Sequence, residues 1–478
     1  MGQTHRREQS SSLIPASPAP SRALADFLAF VKERRTSNSV PKDFAAFERD
    51  LHSRVMALER EVLAEEFAQA DVTADAIEVG GTVYRRVVRC EDTYVTAAGP
   101  VRVERSLYKD RTREDEHSIC PMELRLGIIE ARWTPLAAEL ATWVVSQLTP
   151  ASAAELFARV GNMTPSKSSL DRLPKQLLRV TEVDREAFEA ALRKDELVPE
   201  NTAVVAVSLD GVLAPMKDGE RQDKRADAAA AGKLTKGPAG YREVGCGTIS
   251  MYDADGDLLR VVRMARMPEE KKATLKAMLQ AELSAVFKQR PALRLVKLAD
   301  GAKDNWTFLS GALPAGDEIL DFYHAAEHLS AAMGAAYGEG TIGARHQFEL
   351  KRHVLRHDDN GAEAVIRSLA YLARKHPGAA KIRTVLEYFR NNRGRMLYAK
   401  AAAENLPIGS GVVEAACKTL VAQRLKLSGM RWSNDGGQAI LNLRAWQQSD
   451  RFDSAWALMA AQYKAEVTTI ANVIQLHR

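Results

Sequence analysis

The spacing of hydrophobic and polar positions changes several times along the chain. At residues 42–62, apolar side chains recur every three or four residues, which is the period of an amphipathic helix. Such a stripe packs on its own domain or forms a short dimerising coiled coil. At residues 82–109 the pattern alternates and is rich in β-branched residues, which predicts a small antiparallel sheet.

A helical segment is predicted next, at residues 134–197. Within it, stretches at 153–160 and 166–180 flank a turn that contains Gly161, the proportions of a helix-turn-helix. Two helices joined by a glycine-containing turn are also common in other helical domains. The pattern therefore predicts either a DNA-reading pair or ordinary helix packing.

Strands and helices alternate after Pro199. Three strands come first, the second and third joined by a turn at Gly256 that favours a hairpin; helix, strand, helix and strand follow. This order is the layout of a ribonuclease-H-like core. The predicted strands lie at 203–209, 242–252, 258–267, 293–299 and 319–323, with a polar loop at 217–240 and a long helix at 268–289.

The remaining core element is separated from the others. Almost all of residues 324–406 has helical spacing, which predicts an all-α insertion. After a Pro- and Gly-containing break, a last helix runs from Gly411 to about Leu427. Asp210 and Asp300 are then expected at the ends of two strands of one sheet, with Glu414 in the first turn of a helix that packs on it.

The predicted fold class is α/β, with a mixed five-stranded ribonuclease-H-like core interrupted by the all-α insertion. An α+β region for DNA binding and assembly precedes this core. The expected parts are a disordered leader (1–21), N-terminal helices with a small antiparallel sheet (22–130), a helical segment with the possible helix-turn-helix (131–198), the first part of the core (199–323), the insertion (324–406) and the C-terminal part of the core (407–478).

Composition adds modest limits. The 67 basic and 62 acidic residues give a net charge of +5, which fits many proteins that never bind nucleic acid. The four cysteines lack the C-x-x-C spacing of zinc knuckles, and they favour a reducing compartment. No run approaches the roughly 20 apolar residues that span a bilayer. We therefore expect a cytoplasmic protein without a membrane partner.

Three carboxylates have positions suited to phosphodiester chemistry. Asp210 and Asp300 each follow an apolar run and precede a glycine, and Glu414 lies near the start of a helix. A lone aspartate at a strand end is more often a turn former or helix cap. Three together favour a metal site, because Mg²⁺ takes only one or two protein carboxylates per ion. We expect two Mg²⁺ ions, with Mn²⁺ as a substitute.

Two stretches carry a family resemblance. The segments PIGSGVVEAACK at 407–418 and QRLKLSGMRWS at 423–433 resemble the C-terminal signature of the Kra-type bacterial insertion-sequence transposases. Residues 207–211 and 298–302 are similar to the first two acidic motifs of that family, and the similarity runs from about Leu51 to the end.

The resemblance implies a ribonuclease-H-like catalytic core in which Asp210, Asp300 and Glu414 are catalytic and bind the metal. It further implies Mg²⁺-dependent cleavage and joining of double-stranded DNA at the terminal inverted repeats of a mobile element. Because transposition joins two element ends, a homodimer or larger assembly on DNA is expected, and the resemblance implies association with the bacterial nucleoid.

The segment from Asp321 to His324 is similar to the Asp-x-x-His motif of Mutator-like and hAT transposases, whose cores carry all-helical insertions. His324 is therefore a catalytic candidate that acts near the scissile phosphate or orients its neighbours. Alternatively, Asp321 and His324 form a structural hydrogen-bonded pair. A zinc site with Glu327 and His328 would need a further ligand that the sequence does not identify.

Positive charge is concentrated around the Glu414 segment. Residues 374–400 hold eight Lys or Arg and one acid, and residues 415–434 hold four basic residues and no acid. Such faces neutralise DNA phosphates, although many are merely solvated. Trp432 is a candidate for stacking on an unpaired base. The predicted DNA-binding residues are Arg390, Arg393, Arg395, Lys418, Arg424, Lys426, Arg431 and Trp432.

Two other functions remain open at the level of sequence. One is a domesticated DNA-binding protein that no longer cuts. The other is a structure-selective nuclease on the same core, which would cleave RNA hybrids or junctions without joining ends.

Overall fold

The structure, a computed structural model, describes residues 22–37, 39–112, 117–217, 219–233 and 240–470, apart from the side chains of 219–224. The predicted leader at 1–21 lies outside the described residues. The chain is α/β and divides into two compact units. The first comprises the described parts of Met1–Leu140, Ala154–Ser166 and Gln462–Arg478, and the second comprises Ala141–Ala153 and Lys167–Ala461.

Nine strands and nineteen α-helices lie in the described residues. The strands are β1 (Ala76–Val79), β2 (Thr82–Thr96), β3 (Gly99–Lys109), β4 (Val204–Pro215), β5 (Tyr241–Tyr252), β6 (Leu258–Arg266), β7 (Arg294–Ala299), β8 (Asp317–Leu320) and β9 (Thr468–Ile470). The helices are α1 (Arg22–Thr36), α2 (Phe44–Ala70), α3 (Pro121–Leu126), α4 (Pro135–Gln147), α5 (Pro150–Val160), α6 (Lys167–Val183), α7 (Arg185–Lys194), α8 (Gly219–Ala230), α9 (Ala273–Gln289), α10 (Lys303–Ala312), α11 (Phe322–Tyr337), α12 (Ile342–His357), α13 (Gly361–Lys375), α14 (Ala380–Asn392), α15 (Tyr398–Ala403), α16 (Gly411–Ala416), α17 (Gln423–Leu425), α18 (Asn434–Gln447) and α19 (Phe452–Ala461). None of these helices is both long and apolar enough to cross a bilayer.

The first unit contains the predicted small antiparallel sheet, with strand order β3-β2-β1-β9. The sequence did not indicate β9, a segment near the end of the chain that pairs with β1. Helix α2 buries Phe67 against Tyr94 on β2. Along the predicted stripe at 42–62, Phe44 and Val62 are 58% and 50% exposed, whereas Phe47 stacks on Phe30 of α1 with ring centroids 5.7 Å apart. Packing within the unit therefore covers only part of this stripe.

The second unit contains the predicted five-stranded sheet, with strand order β6-β5-β4-β7-β8. Strand β5 pairs antiparallel with β4 and with β6, whereas β7 pairs parallel with β4 and β8 pairs parallel with β7. Helix α9 packs on one face, where Gly245 and Gly247 lie beneath Leu275 and Leu279. Because these two positions lack side chains, the helix approaches the sheet closely.

The all-α insertion is also present, as α11 to α15 between β8 and α16. It begins at Phe322, directly after Asp321, and its apolar residues join the hydrophobic core of the sheet through Leu329, Val385 and Phe389. The insertion is thus packed on the core rather than tethered to it.

Several elements differ from the sequence prediction. The fifth strand was predicted at 319–323, but β8 ends at Leu320 because Asp321 caps α11. Strand β4 does not end at Asp210 but continues to Pro215, because β5 pairs with it along its whole length. Part of the predicted loop at 217–240 is helix α8, whose alanines favour helix. The helix predicted from 268 starts at Ala273, after a single 3₁₀ turn. The final helix contains a π-helical turn at Cys417–Ala422, a feature frequent at functional sites.

Candidate metal centre

Three aspartates lie at the same level of three adjacent strands. The parallel register pairs Ser208 of β4 with Leu298 of β7, so Asp210 and Asp300 each lie two residues beyond a paired position. Strand β7 pairs Ala299 with Leu320 of β8, and Asp300 and Asp321 are the next residues. Neighbouring strands are about 4.8 Å apart. The sheet therefore brings these aspartates into one row across β4, β7 and β8, at the level where β7 and β8 end.

The Asp210 carboxylate faces the helix that follows the insertion. Its Oδ1 accepts a hydrogen bond from the Gly211 N–H (2.7 Å), and its Oδ2 lies 3.7 Å from the Cys417 Sγ. Burial raises the pKa of Asp210, and the negative charge of Asp300 raises it further. Lys272, the Gly211 N–H and Cys417 oppose that shift.

Asp300 is held at the start of the loop that leads to α10. Its Oδ1 accepts hydrogen bonds from the Ala302 N–H and the Asn305 side-chain amide, both at 3.1 Å. The Trp306 indole donates to the Asp300 carbonyl at 2.6 Å. The next residue, Gly301, has no room for a side chain, because an added Cβ would lie 2.3 Å from the Tyr388 ring. These contacts fix the direction of the carboxylate.

Asp321 is fully buried and caps α11. Its Oδ1 accepts the His324 N–H at 2.6 Å, and its Oδ2 accepts the Ser410 N–H. The Phe322 N–H donates to the Ile408 carbonyl at 2.9 Å. Two contacts therefore join the end of β8 to the segment that starts the Glu414 helix.

Glu414 lies in the first turn of α16, and its side chain is 46% exposed. Its Oε1 accepts a hydrogen bond from the Ser410 hydroxyl (2.7 Å) and lies 4.0 Å from the His324 Nδ1. Ligand atoms of Asp321, His324 and Glu414 lie within 4.8 Å of one another. The structure thus brings Glu414 next to the Asp321–His324 pair, and the same helix contacts Asp210 through Cys417, one turn later.

His324 occupies the space between carboxylates. Its Nδ1 lies 3.2 Å from the Asp321 Oδ1. The Asp321 carboxylate raises the pKa of His324 to about 9, against the opposing effect of burial, and Asp300 and Glu327 add to the rise. Burial would raise the pKa of Asp321, but its hydrogen bonds with His324 and Ser410 lower it overall. At neutral pH, Asp321 is therefore ionised and His324 is protonated.

The donor set is compatible with hard divalent cations. Asp210, Asp300, Asp321 and Glu414 offer carboxylate oxygens, the ligands that Mg²⁺ and Mn²⁺ prefer. Asp321 and Glu414 lie with His324 in a cluster whose ligand atoms are all within 4.8 Å of one another, and among the described residues Asp210 and Asp300 belong to no cluster of this kind. The negative charge of Asp300 nevertheless raises the pKa of Asp210, so a cation near the two carboxylates would relieve their repulsion. An oxygen-rich site of this composition fits magnesium better than zinc.

Two further residues at this edge carried no signal in the sequence. Lys272 contributes positive charge near Asp210, and its Nζ lies 2.7 Å from the Glu243 Oε1. Lys271 and Lys272 both have left-handed backbones, with φ of 51° and 54°, which L-residues adopt rarely. Such local strain is commonly found at functional sites. A basic pair after a proline is too common a pattern to indicate this geometry.

Most of the predicted DNA-binding residues are exposed. Arg390 and Arg393 lie on and just after α14, Lys418 is on the π-helical turn, and Lys426 and Arg431 follow the helix. Arg395 is less accessible, because its guanidinium contacts Glu318 at 2.8 Å and stacks 4.0 Å above Trp306.

Arg424 requires a correction. It is 1% exposed and donates to the Val145 carbonyl at 3.2 Å, so it does not belong to a solvent-facing DNA surface. Trp432 is partly buried beside it, with the Arg424 guanidinium 5.2 Å from the indole centroid. Helical spacing did not reveal this, because the π-helical turn changes which residues face inward.

Comparisons with known proteins give little further information. No family model matches the chain, and no curated protein matches it. A search of solved structures finds the Drosophila P element transposase strand transfer complex at 10% identity, over 70% of this chain and 82% of that chain, with a TM-score of 0.25. At that TM-score the match carries no argument about fold or function.

Proposed function

We propose that this chain is a DNA transposase of the Asp-Asp-Glu class, built on a ribonuclease-H-like core. It would cleave DNA at the terminal inverted repeats of a mobile element and join the ends to target DNA. The observation that carries this assignment is the row of Asp210, Asp300 and Asp321 at one sheet edge, with Glu414 held beside it.

Asp210, Asp300 and Glu414 would hold two Mg²⁺ ions, with Mn²⁺ as a substitute. Two such ions activate the attacking hydroxyl and stabilise the leaving oxygen in phosphodiester chemistry. In this chain, Asn305 and the Ala302 N–H fix the Asp300 carboxylate, and Ser410 orients Glu414. The His324 imidazolium is positioned to contact a phosphate oxygen beside these carboxylates, which makes it a catalytic candidate.

The DNA would lie along the exposed cations that surround the site. Arg390, Arg393, Lys418, Lys426 and Arg431 are exposed and supply positive charge for phosphates. Cleavage and joining of two ends would require a dimer or larger assembly on DNA. Arg395 and Arg424 would support this surface from within rather than contact phosphates.

The test is cleavage and joining of labelled DNA that carries the element's own inverted repeats, with and without Mg²⁺. Asp210→Asn, Asp300→Asn and Glu414→Gln should each lower the rate by roughly 1,000-fold or more while leaving DNA binding intact. Asp304→Asn is the matched control, since this aspartate lies four residues after Asp300 but pairs with Lys276 and is 58% exposed.

Each outcome separates the alternatives. Cutting and joining that fail in all three variants but persist in Asp304→Asn support the assignment. Cutting without joining, on RNA hybrids or junctions, would favour a structure-selective nuclease. Binding without any cutting would favour a domesticated DNA-binding protein.

A further inference from the structure

A cavity of about 410 Å³ lies in the second unit, away from the row of aspartates. Its walls are mostly apolar, and its volume is in the range of small-molecule sites. Met216, which forms a β-bridge with Trp432, lies six residues after Asp210 along the extended chain of β4. Six extended residues span about 20 Å, so Trp432 lies at about that distance from the Asp210 position. The lining includes Leu170, Pro174, Met430, Trp432 and Ile440, with Lys217 and Arg431 among its charged members.

Trp432 is fixed in place by three hydrogen bonds. Its indole N–H donates to the Leu425 carbonyl at 2.9 Å, at the end of the helical segment that carries Glu414. Its backbone N–H donates to Pro215 at 3.0 Å, and its carbonyl accepts from the Lys217 N–H at 2.8 Å. An anchored aromatic ring in a cavity wall is a preorganised stacking surface, because no rotamer freedom is lost when a ligand binds.

Arg424 contributes the polar part of the same wall. It is 1% exposed, and among the described residues it has no carboxylate partner. It donates to the Val145 carbonyl and, through Nη1, to the Met430 Sδ at 3.7 Å, but its Nε has no hydrogen-bond partner in the part of the chain that the structure describes. Burial and the nearby Arg444 lower its pKa to about 10. A buried N–H without an acceptor is costly unless a ligand supplies one, and the contact of the guanidinium with the Trp432 ring offsets only part of that cost.

The edge of the cavity adds positive charge. Lys217 and Arg431 are exposed, whereas Lys175 is neutralised by Asp171 at 2.5 Å. Gly436 also lines the cavity, and a Cβ added there would lie 3.0 Å from the Ser433 Oγ and 3.3 Å from the Lys175 Cε. The site thus combines a flat apolar slot, an inner donor and outer cations.

We propose that this cavity binds one unpaired base of the DNA, and this rests on the proposed function, in which DNA is the substrate. The base stacks on Trp432 and presents a carbonyl edge, as guanine or thymine does, to Arg424. Lys217 and Arg431 contact the phosphates on either side. A base held about 20 Å from the carboxylates would fix the register of the strand a few nucleotides from the scissile phosphate.

The test uses the full chain and two duplexes that differ at one position, in EDTA so that no cleavage occurs. One duplex carries a single extrahelical dG, and the other carries an abasic linker at the same place. Fluorescence anisotropy should show that the wild-type chain binds the dG duplex about tenfold more tightly. Trp432→Ala should bind both duplexes equally, at the affinity that the wild type has for the abasic one.

Two further variants guard against misfolding as the cause. Trp432→Phe keeps a stacking surface and should retain most of the tenfold preference. Trp143→Ala removes a 46% exposed tryptophan that does not line the cavity, and it should retain all of the preference. With an extrahelical dA the preference should be smaller than with dG, because adenine lacks the carbonyl acceptor.

The failures of the two proposals are distinguishable. Equal binding of both duplexes by the wild type, or a preference that survives in Trp432→Ala, overturns the base-binding cavity, while Mg²⁺-dependent cleavage of inverted-repeat DNA would leave the transposase proposal standing. A wild-type chain that neither binds these duplexes nor cuts inverted-repeat DNA overturns both.

Discussion

The buried carboxylate of Asp321 accepts the backbone N–H of Ser410, and this contact links strand β8 to the helix that carries Glu414 across an insertion of more than 80 residues. Ser410 in turn donates its hydroxyl to Glu414. Asp321, which is not one of the three proposed metal ligands, therefore sets the position of Glu414.

Replacing Asp321 with Asn should weaken this link. One carboxylate oxygen becomes an amide N–H₂, so either the Ser410 N–H or the His324 N–H loses its acceptor, and the native charge pair with His324 is lost. We expect the free energy of unfolding to fall by about 2 kcal/mol, since a buried donor is left unsatisfied. Urea denaturation measures this change, and the cleavage rate should fall with it because Glu414 shifts. A loss below about 0.5 kcal/mol would show that the link is not structural.

Two glycines beside the aspartates should respond differently to alanine. At Gly301 the new Cβ would lie 2.3 Å from the Tyr388 ring, which is packed against His328 with centroids 4.1 Å apart. At Gly211 it would meet the Glu243 side chain, which is 54% exposed and can turn away into solvent at the cost of its ion pair with Lys272. We expect Gly301→Ala to cost about 1–3 kcal/mol and Gly211→Ala much less, measured by thermal or urea unfolding.

The same explanation can be checked with a double variant. If the ring of Tyr388 is the obstacle, adding Gly301→Ala to Tyr388→Ala should cost little more than Tyr388→Ala alone. Additive losses would point to backbone strain at position 301 instead.

Arg395 should contribute to stability rather than to DNA affinity. Burial would raise the pKa of Glu318, but hydrogen bonds from Ser310 and Arg395 and the Arg395 charge lower it overall. A lowered folded-state pKa means that the stabilisation is present above the ordinary glutamate value of about 4.3 and is lost as the pH falls through the folded value. Glu318→Gln should therefore reduce stability by about 1 kcal/mol at pH 7, and the difference should shrink in acid.

The control for this expectation is Arg393→Met. Arg393 is exposed and lies 4.0 Å from Glu363, so its removal should leave stability nearly unchanged and weaken DNA binding instead. If Arg395→Met weakens DNA binding as much as Arg393→Met without affecting unfolding, the structural role assigned to Arg395 is wrong.

The cysteines should differ in reactivity. Cys90 is partly exposed, whereas Cys120, Cys246 and Cys417 are buried. Burial raises the pKa of the Cys120 thiol to about 12, and contact with Cys246, burial and the Asp210 charge raise that of Cys417. Thiolates are the reactive form, so brief iodoacetamide treatment of the folded chain should label Cys90 alone. Mass spectrometry reads the sites, and early labelling of Cys417 would mean that the Glu414 helix opens readily.

The sequence by itself determined the elements that local patterns encode. Apolar runs and their turns predicted the five strands of the second unit in their observed order along the chain, and helical spacing predicted the insertion. These signals are short-range, because period and turn chemistry act within a few residues. Asp210, Asp300 and Glu414 were chosen in the same way, and their catalytic role stays a prediction.

Only the tertiary structure decided how these elements meet. Register between β4, β7 and β8 placed Asp321 in the row of aspartates, which no single segment could reveal. Because of a π-helical turn and long-range packing, Arg424 lies in the wall of a cavity with Trp432 and not on the predicted DNA surface. Both outcomes depend on contacts between residues far apart in the chain. The free energy of such contacts comes from the burial of apolar surface and from strand register, which a local stretch of sequence does not determine.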